Sequence, residues 1–136
     1  MPIMSFTLHP RLAADTAFVA EWPHCRVLLM NDARYRWLIL VPRRADLVEL
    51  HDLDATDRAT LIEEIAAVSR KLKQLTGAAK INIGALGNLV PQLHVRIVAR
   101  GPGDPAWPGP VWGHSAAVAY DAATRDAFIA QFVNAR

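Results

Sequence analysis

Cysteine is nearly absent from this chain: Cys25 stands alone among 136 residues. A lone cysteine excludes an internal disulfide, and the expected location is a reducing compartment, the cytoplasm. Long apolar runs are missing too. "VLLM" and "WLILVP" are far too short to span a bilayer, so no membrane partner is expected. The opening "MPIMSFTLHPRLAAD" holds no apolar segment of signal-peptide length. Charge of one sign is scarce: 15 Lys and Arg against 13 Asp and Glu leave a formal net charge of +2. Such a balance lacks the basic stripe with interleaved aromatics that nucleic acids require, and no nucleic-acid partner is expected. His9, His24, His51 and His114 show no metal-ligand spacing. No metal site and no cofactor are assigned.

What is present reads as one globular domain over residues 1–136. Apolar residues make up 52% of the chain and charged residues 21%, which is enough to bury a single core. No repeat, low-complexity tract or linker divides it. "LAADTAFVAEW" (Leu12 to Trp22) reads as a short helix stopped by Pro23. "CRVLLMN" and "RWLILVPRR" read as two strands of a hairpin joined by the turn "DARY". Cys25 reads as a buried strand residue. The strongest element is a helix from about Ala55 to Leu75, where Leu61, Ile65, Val68, Leu72 and Leu75 form one stripe. Asp54 suits its N-cap, Asp57 and the lysines 71 and 73 suit its dipole, and Gly77 suits its end. "AKINIGAL" follows as a strand. Residues 101–114 hold four prolines and four glycines, so they form an irregular loop, and a last helix is expected over Ala122–Asn134. The order gives an α+β fold: an antiparallel sheet with a long packed helix and flanking shorter helices.

The chemistry concentrates in "NLVPQLHVRIVARG" (88–101). Gln92, His94 and Arg96 occupy alternate positions, so a strand would place them on one face, about 7 Å from each to the next. A solvated strand face explains such a pattern about as well as a site does. The neighbourhood favours a site. Asn82 and Gly84 precede it on the preceding strand, and Gly87 and Asn88 lie in the connection. A glycine-bearing connection can offer backbone N–H groups to an anion. Asn82, Gly87, Asn88, Gln92, His94 and Arg96 together would make a pocket of donors suited to a phosphate.

"INIGALGNLVPQLHVRIVAR" resembles the signature of the histidine triad (HIT) superfamily: an Asn-x-Gly strand, a Gly-Gln turn, then His-x-His-x-His with apolar residues between. Asn82 and Gly84 match the first part, and Gly87 matches the turn glycine. Asn88 stands where the family has glutamine. His94 matches the central histidine. "WLILVPRR" is similar to the family's strand ending in "IPK", and "DPAWPGPVWG" looks like the tail of a bacterial subgroup carrying "VPQLHVH". The sequence departs from the triad at its first place, Gln92, and at its third, Arg96. Glutamine is usual at the first place in that subgroup, and arginine at the third is unusual.

The resemblance implies a HIT-like fold and a homodimer. It implies a small-molecule partner, a nucleotide or dinucleoside polyphosphate. It further implies a hydrolase or nucleotidyltransferase in which His94 attacks the α-phosphorus, with Gln92 and Arg96 beside it. A non-catalytic nucleotide-binding or regulatory module is the alternative, because guanidinium does not release a proton at neutral pH. A family acidic residue near the first hairpin strand binds the ribose, which makes Asp32 a candidate with Asn31 beside it. Turn chemistry explains these two equally well. Trp107 and Trp112 either stack on a ligand or pack the loop. Arg34, Arg36, Arg43 and Arg44 cluster around the hairpin and either draw anionic substrates or form a solvated basic face, the second being the better account.

Overall fold

Six consecutive residues, Trp37–Pro42, are all buried, which requires a strand covered on both faces. The computed structural model, which describes residues 6–136, places this strand at the middle of a five-stranded antiparallel sheet. The elements in chain order are α1 (Pro10–Asp15), β1 (Thr16–Glu21), β2 (Cys25–Met30), β3 (Trp37–Pro42), α2 (Ala55–Thr76), β4 (Lys80–Gly84), β5 (Val95–Arg100) and α3 (Ala122–Asn134), with a 3-10 turn at Leu50–Asp52. The strand order is β1-β2-β3-β5-β4. The fold is therefore α+β, as the sequence implies.

Alternation sorts the side chains into two layers. Val27, Leu29, Leu38, Leu40, Val95 and Ile97 meet the α2 stripe and Phe128 and Phe132 of α3. Leu28, Trp37, Ile39, Val41 and Val98 face the other way, against Leu12 of α1 and Val111 of the proline- and glycine-rich loop. Helix α2 starts and stops as its sequence dictates. The Asp54 carboxylate accepts from the Asp57 N–H at 2.8 Å. Gly77 adopts φ 66°, a left-handed value that suits glycine, and its N–H donates to the Lys73 carbonyl at 2.9 Å. One charged residue joins the buried stripe: Glu64 accepts from the His24 and Cys25 N–H groups, both at 2.9 Å. It ties α2 to the start of β2. Cys25 is fully buried.

The expected helix over Leu12–Trp22 is corrected. It ends at Asp15, and Thr16–Glu21 forms β1, paired with β2. Val19 sits at a break in that register, between the pairs Phe18–Leu28 and Ala20–Val27. A bulge interrupts the two-residue alternation that would have marked a strand in the sequence. The strand through Gln92 is also shorter than expected, because the ladder begins at Val95. Pro91 has no N–H to contribute, and the Leu93 N–H bonds the Leu47 carbonyl instead, at 2.9 Å.

Leu72 is fully buried beneath the sheet, whereas Ile62, also on α2, is 55% exposed. Leu72→Ala should lower unfolding free energy in urea by about 2–5 kcal/mol, and Ile62→Ala by no more than about 0.5 kcal/mol. Similar losses for both would mean that the helix packs by a different face.

Candidate active site

The cleft-side positions of β5 carry the site. His94 just precedes the strand and is almost fully buried. Its Nδ1 lies 2.7 Å from the Gln92 carbonyl oxygen. A carbonyl only accepts, so Nδ1 must carry the hydrogen, and in the neutral ring Nε2 keeps its lone pair. Burial holds the His94 pKa below the ordinary imidazole value. The Gln92 carbonyl favours the charged ring and opposes this, but Arg96 and His9 add to the lowering. The neutral ring is therefore the favoured form at pH 7.

His94 and Arg96 line one cleft of about 350 Å³, together with Gly87 and Asn88 from the connection before them. Arg96 points between two indoles, its guanidinium carbon 5.7 Å from the Trp37 ring centre and 6.0 Å from that of Trp112. Its Nε is sealed from solvent with no hydrogen-bond partner among the described residues. None of the ion pairs among the described residues includes it. Burial lowers its pKa, though guanidinium stays charged at any ordinary pH. Trp112 reaches this place because Gly84 lacks a side chain: a Cβ there would stand 3.1 Å from the indole. A smaller cavity of about 230 Å³ opens on another side of His94, beside Glu49, Leu50 and Gly87.

Several candidate residues lie elsewhere. Asn82 is not on the cleft wall; its Oδ1 accepts from Arg100 at 2.7 Å. Gln92 turns its side chain to the N-terminal segment, accepting from the His9 N–H at 2.8 Å and donating to the Thr7 carbonyl at 2.9 Å. Asn31 accepts from the Tyr120 N–H at 2.9 Å. Asp32 is buried and pairs with Arg34 at 2.9 Å. Burial alone would raise its pKa, but hydrogen bonds from Arg34 and from the Val118 N–H outweigh that and hold it below the ordinary value. Both residues tether the chain before α3, whereas Met30, just ahead of them, lines the cleft. Arg34 thus belongs to a local ion pair, not to a free basic face. Trp112 lines the cleft, while Trp107 stands beside Arg100 with its ring centre 5.8 Å away. Arg11, Leu12 and Trp37 also line the cleft and were not singled out from the sequence. Trp37 had a local signal: it alternates with Ile39, which pairs with Arg96 across the ladder. Arg11 had none, because only tertiary packing brings α1 there.

This combination of fold and cleft is that of a known class. The HIT domain family matches residues 11–103. A histidine triad protein from Bradyrhizobium japonicum is 51% identical, with a TM-score of 0.93 over 96% of this chain and 97% of its own. A histidine triad protein from Sinorhizobium meliloti is 48% identical, with a TM-score of 0.93 over 94% and 95%. One from Marinobacter aquaeolei is 44% identical, with a TM-score of 0.92 over 94% and 93%. No curated protein matches the chain. The chain belongs to the HIT family, in company with bacterial histidine triad proteins. No helix among the described residues is long and apolar enough to cross a membrane.

The depressed pKa gives a prediction. NMR titration should place His94 below the reference value of 6.5, and Arg96→Met should move it upward. The unfolded chain binds this proton more readily, so stability should fall as pH drops below about 6.5. His24, which burial also depresses, contributes in the same direction. An His94 pKa above 6.5 would contradict the buried, cation-flanked geometry.

Proposed function

We propose that this protein binds nucleotides and acts on them as a nucleotidyl hydrolase or transferase, with His94 as nucleophile. The observation that supports this reading is one pairing within one cleft: an imidazole whose Nδ1 is taken by a backbone carbonyl, leaving Nε2 its lone pair, beside a guanidinium that pairs with no carboxylate among the described residues. In the proposed reaction Nε2 attacks the α-phosphorus. The P–O bond to the leaving group breaks, and that group departs with the bonding electron pair. The nucleotide stays on His94 as a phosphorus–nitrogen adduct. Water or another acceptor then attacks the same phosphorus, loses a proton and returns His94 to its free state. Arg96 binds the phosphoryl oxygens and opposes the charge that gathers on them. Gly87 and Asn88 form the wall beside the phosphate.

Arg96 supplies charge but no proton. Leaving groups that depart as stable anions, such as pyrophosphate, polyphosphate or sulfate, therefore suit this site best. The same substitution supports a second reading, a nucleotide-binding module without turnover. A homodimer is proposed for the assembly, with β4 as an outer strand of the sheet and Ile83 half exposed on it.

Incubation with a panel of adenosine and guanosine nucleotides, followed for product and for protein mass, separates the two readings. The enzyme reading expects a mass gain of one nucleotidyl group and turnover abolished in His94→Ala. Arg96→His should raise turnover of substrates with poor leaving groups by up to about 10²-fold, because a proton donor is restored, and should help acidic leaving groups little. Saturable binding without adduct or product, weakened by Arg96→Ala, would favour the binding module.

A further inference from the structure

We infer that Arg11 is a second cation of the cleft and selects ligands with an extended polyphosphate chain over those with a single phosphate. This rests on the proposal that Arg96 and His94 receive the α-phosphate. Arg11 lines the same cleft as both residues. Arg96 is the partly buried cation with its Nε sealed, whereas the Arg11 side chain is 60% exposed. The two therefore mark an inner end and a solvent end. A single phosphate on Arg96 would leave Arg11 unused, whereas a chain of phosphates running outward would bring negative charge to it.

The position of Arg11 is built, although its side chain is loose. His9 Nδ1 accepts from the Arg11 N–H at 3.1 Å, and Pro10 opens α1 with a backbone angle suited to a helix start. Leu12, the next residue, is buried in the loop-side core. Gln92 grips the segment ahead of α1 through two hydrogen bonds, to His9 and to Thr7. The backbone carbonyl of the same Gln92 orients His94. One residue thus fixes the nucleophile's ring with its main chain and the Arg11 helix with its side chain. On this reading Gln92 is a positioning residue and touches no ligand.

The charge on Arg11 is only loosely engaged. Its contact with Asp15 is 3.7 Å, between side chains 60% and 48% exposed. An exposed pair of that length contributes little and exchanges readily for a multiply charged anion. Asp15 also lines the cleft, so it competes with the ligand for Arg11. That competition gives the inference two variants of opposite sign.

Trp37 and Trp112 both line the cleft, so their fluorescence reports binding without any turnover. The intact protein is titrated with inorganic tripolyphosphate and with orthophosphate. Tripolyphosphate should bind more tightly. Arg11→Ala should weaken tripolyphosphate about fivefold and leave orthophosphate nearly unchanged, whereas Asp15→Asn should strengthen tripolyphosphate. Gln92→Ala should reproduce the selective loss of Arg11→Ala, because it frees the segment that carries α1. The Arg11 effect should shrink in high salt. Equal affinities in the wild type, no binding of either anion, or an Arg11→Ala that leaves their ratio unchanged would overturn the inference, as would weaker tripolyphosphate binding in Asp15→Asn. The chemistry is read separately: absence of a His94 adduct alongside a retained, Arg11-dependent preference would remove the catalytic proposal and leave this one standing.

Discussion

Two arginines, four residues apart on β5, face the same side of the sheet and meet opposite fates. Arg100 is almost wholly buried, and each of its three guanidinium nitrogens finds an acceptor. Its guanidinium donates to Asp104 at 2.8 and 3.1 Å, to Asn82 at 2.7 Å and to the Gly109 carbonyl at 2.7 Å. A buried charge is tolerated when every donor finds an acceptor, and removing one partner of such a set is costly. The Arg100 network fastens the proline- and glycine-rich loop to the sheet, and Asp104 receives the Ala106 and Trp107 N–H groups as well. The fastened loop carries Trp112 over Gly84 to the side of Arg96. Arg96 lies under the same loop, and its Nε meets no acceptor among the described residues. The paired arginine builds the wall of the cleft in which the unpaired one is held.

The proposed nucleophile depends on shorter-range geometry. His94 is oriented by the carbonyl two residues before it, so its tautomer is set within one stretch of backbone. Leu93 and Val95, on either side, are anchored in the core between sheet and helices. Alternation then turns His94 to the other layer. The burial that completes this layer also removes water from the ring and holds it neutral. Packing and reactivity thus share one cause, the strand's two-residue period.

That sharing explains what was legible in the sequence. Helix α2 could be read because its period, caps and terminal glycine agree along one continuous segment. The adjacency of His94 and Arg96 could be read because alternation is local. β1 is not legible because its bulge at Val19 breaks the alternation. The strand position of Asn82 and its match to the family's Asn-x-Gly both point it to the cleft. Its actual partner, Arg100, lies on the neighbouring strand, close to the Val98 position directly opposite Asn82. Asn31 and Asp32 sit in a turn as their residue types suggest, but their acceptors serve residues 118–120, which only the folded chain brings near. Arg11 reaches the cleft through a pairing between Gln92 and His9, 83 residues apart, which no periodicity encodes.

The placement of Arg96 has a consequence for both halves of the proposed reaction. A cation beside His94 disfavours imidazolium, which keeps the free ring neutral and ready to attack. Attack on phosphorus makes that nitrogen electron-poor, and the ring then carries positive charge next to the same guanidinium. The adduct is thereby raised in energy relative to free His94. Negative phosphoryl oxygens between the two cations offset part of this, and most fully when charge gathers on them in the transition states. A destabilised phosphorus–nitrogen bond is the one that water or an acceptor must break next, with His94 as leaving group. The electrostatic arrangement that favours a neutral nucleophile in the first step therefore favours its release in the second. A proton donor at position 96 would assist only the departure of the first leaving group. In the proposed reaction the two demands separate at this residue: arginine would serve turnover of the adduct and anion binding, and would confine the first step to groups that leave unaided.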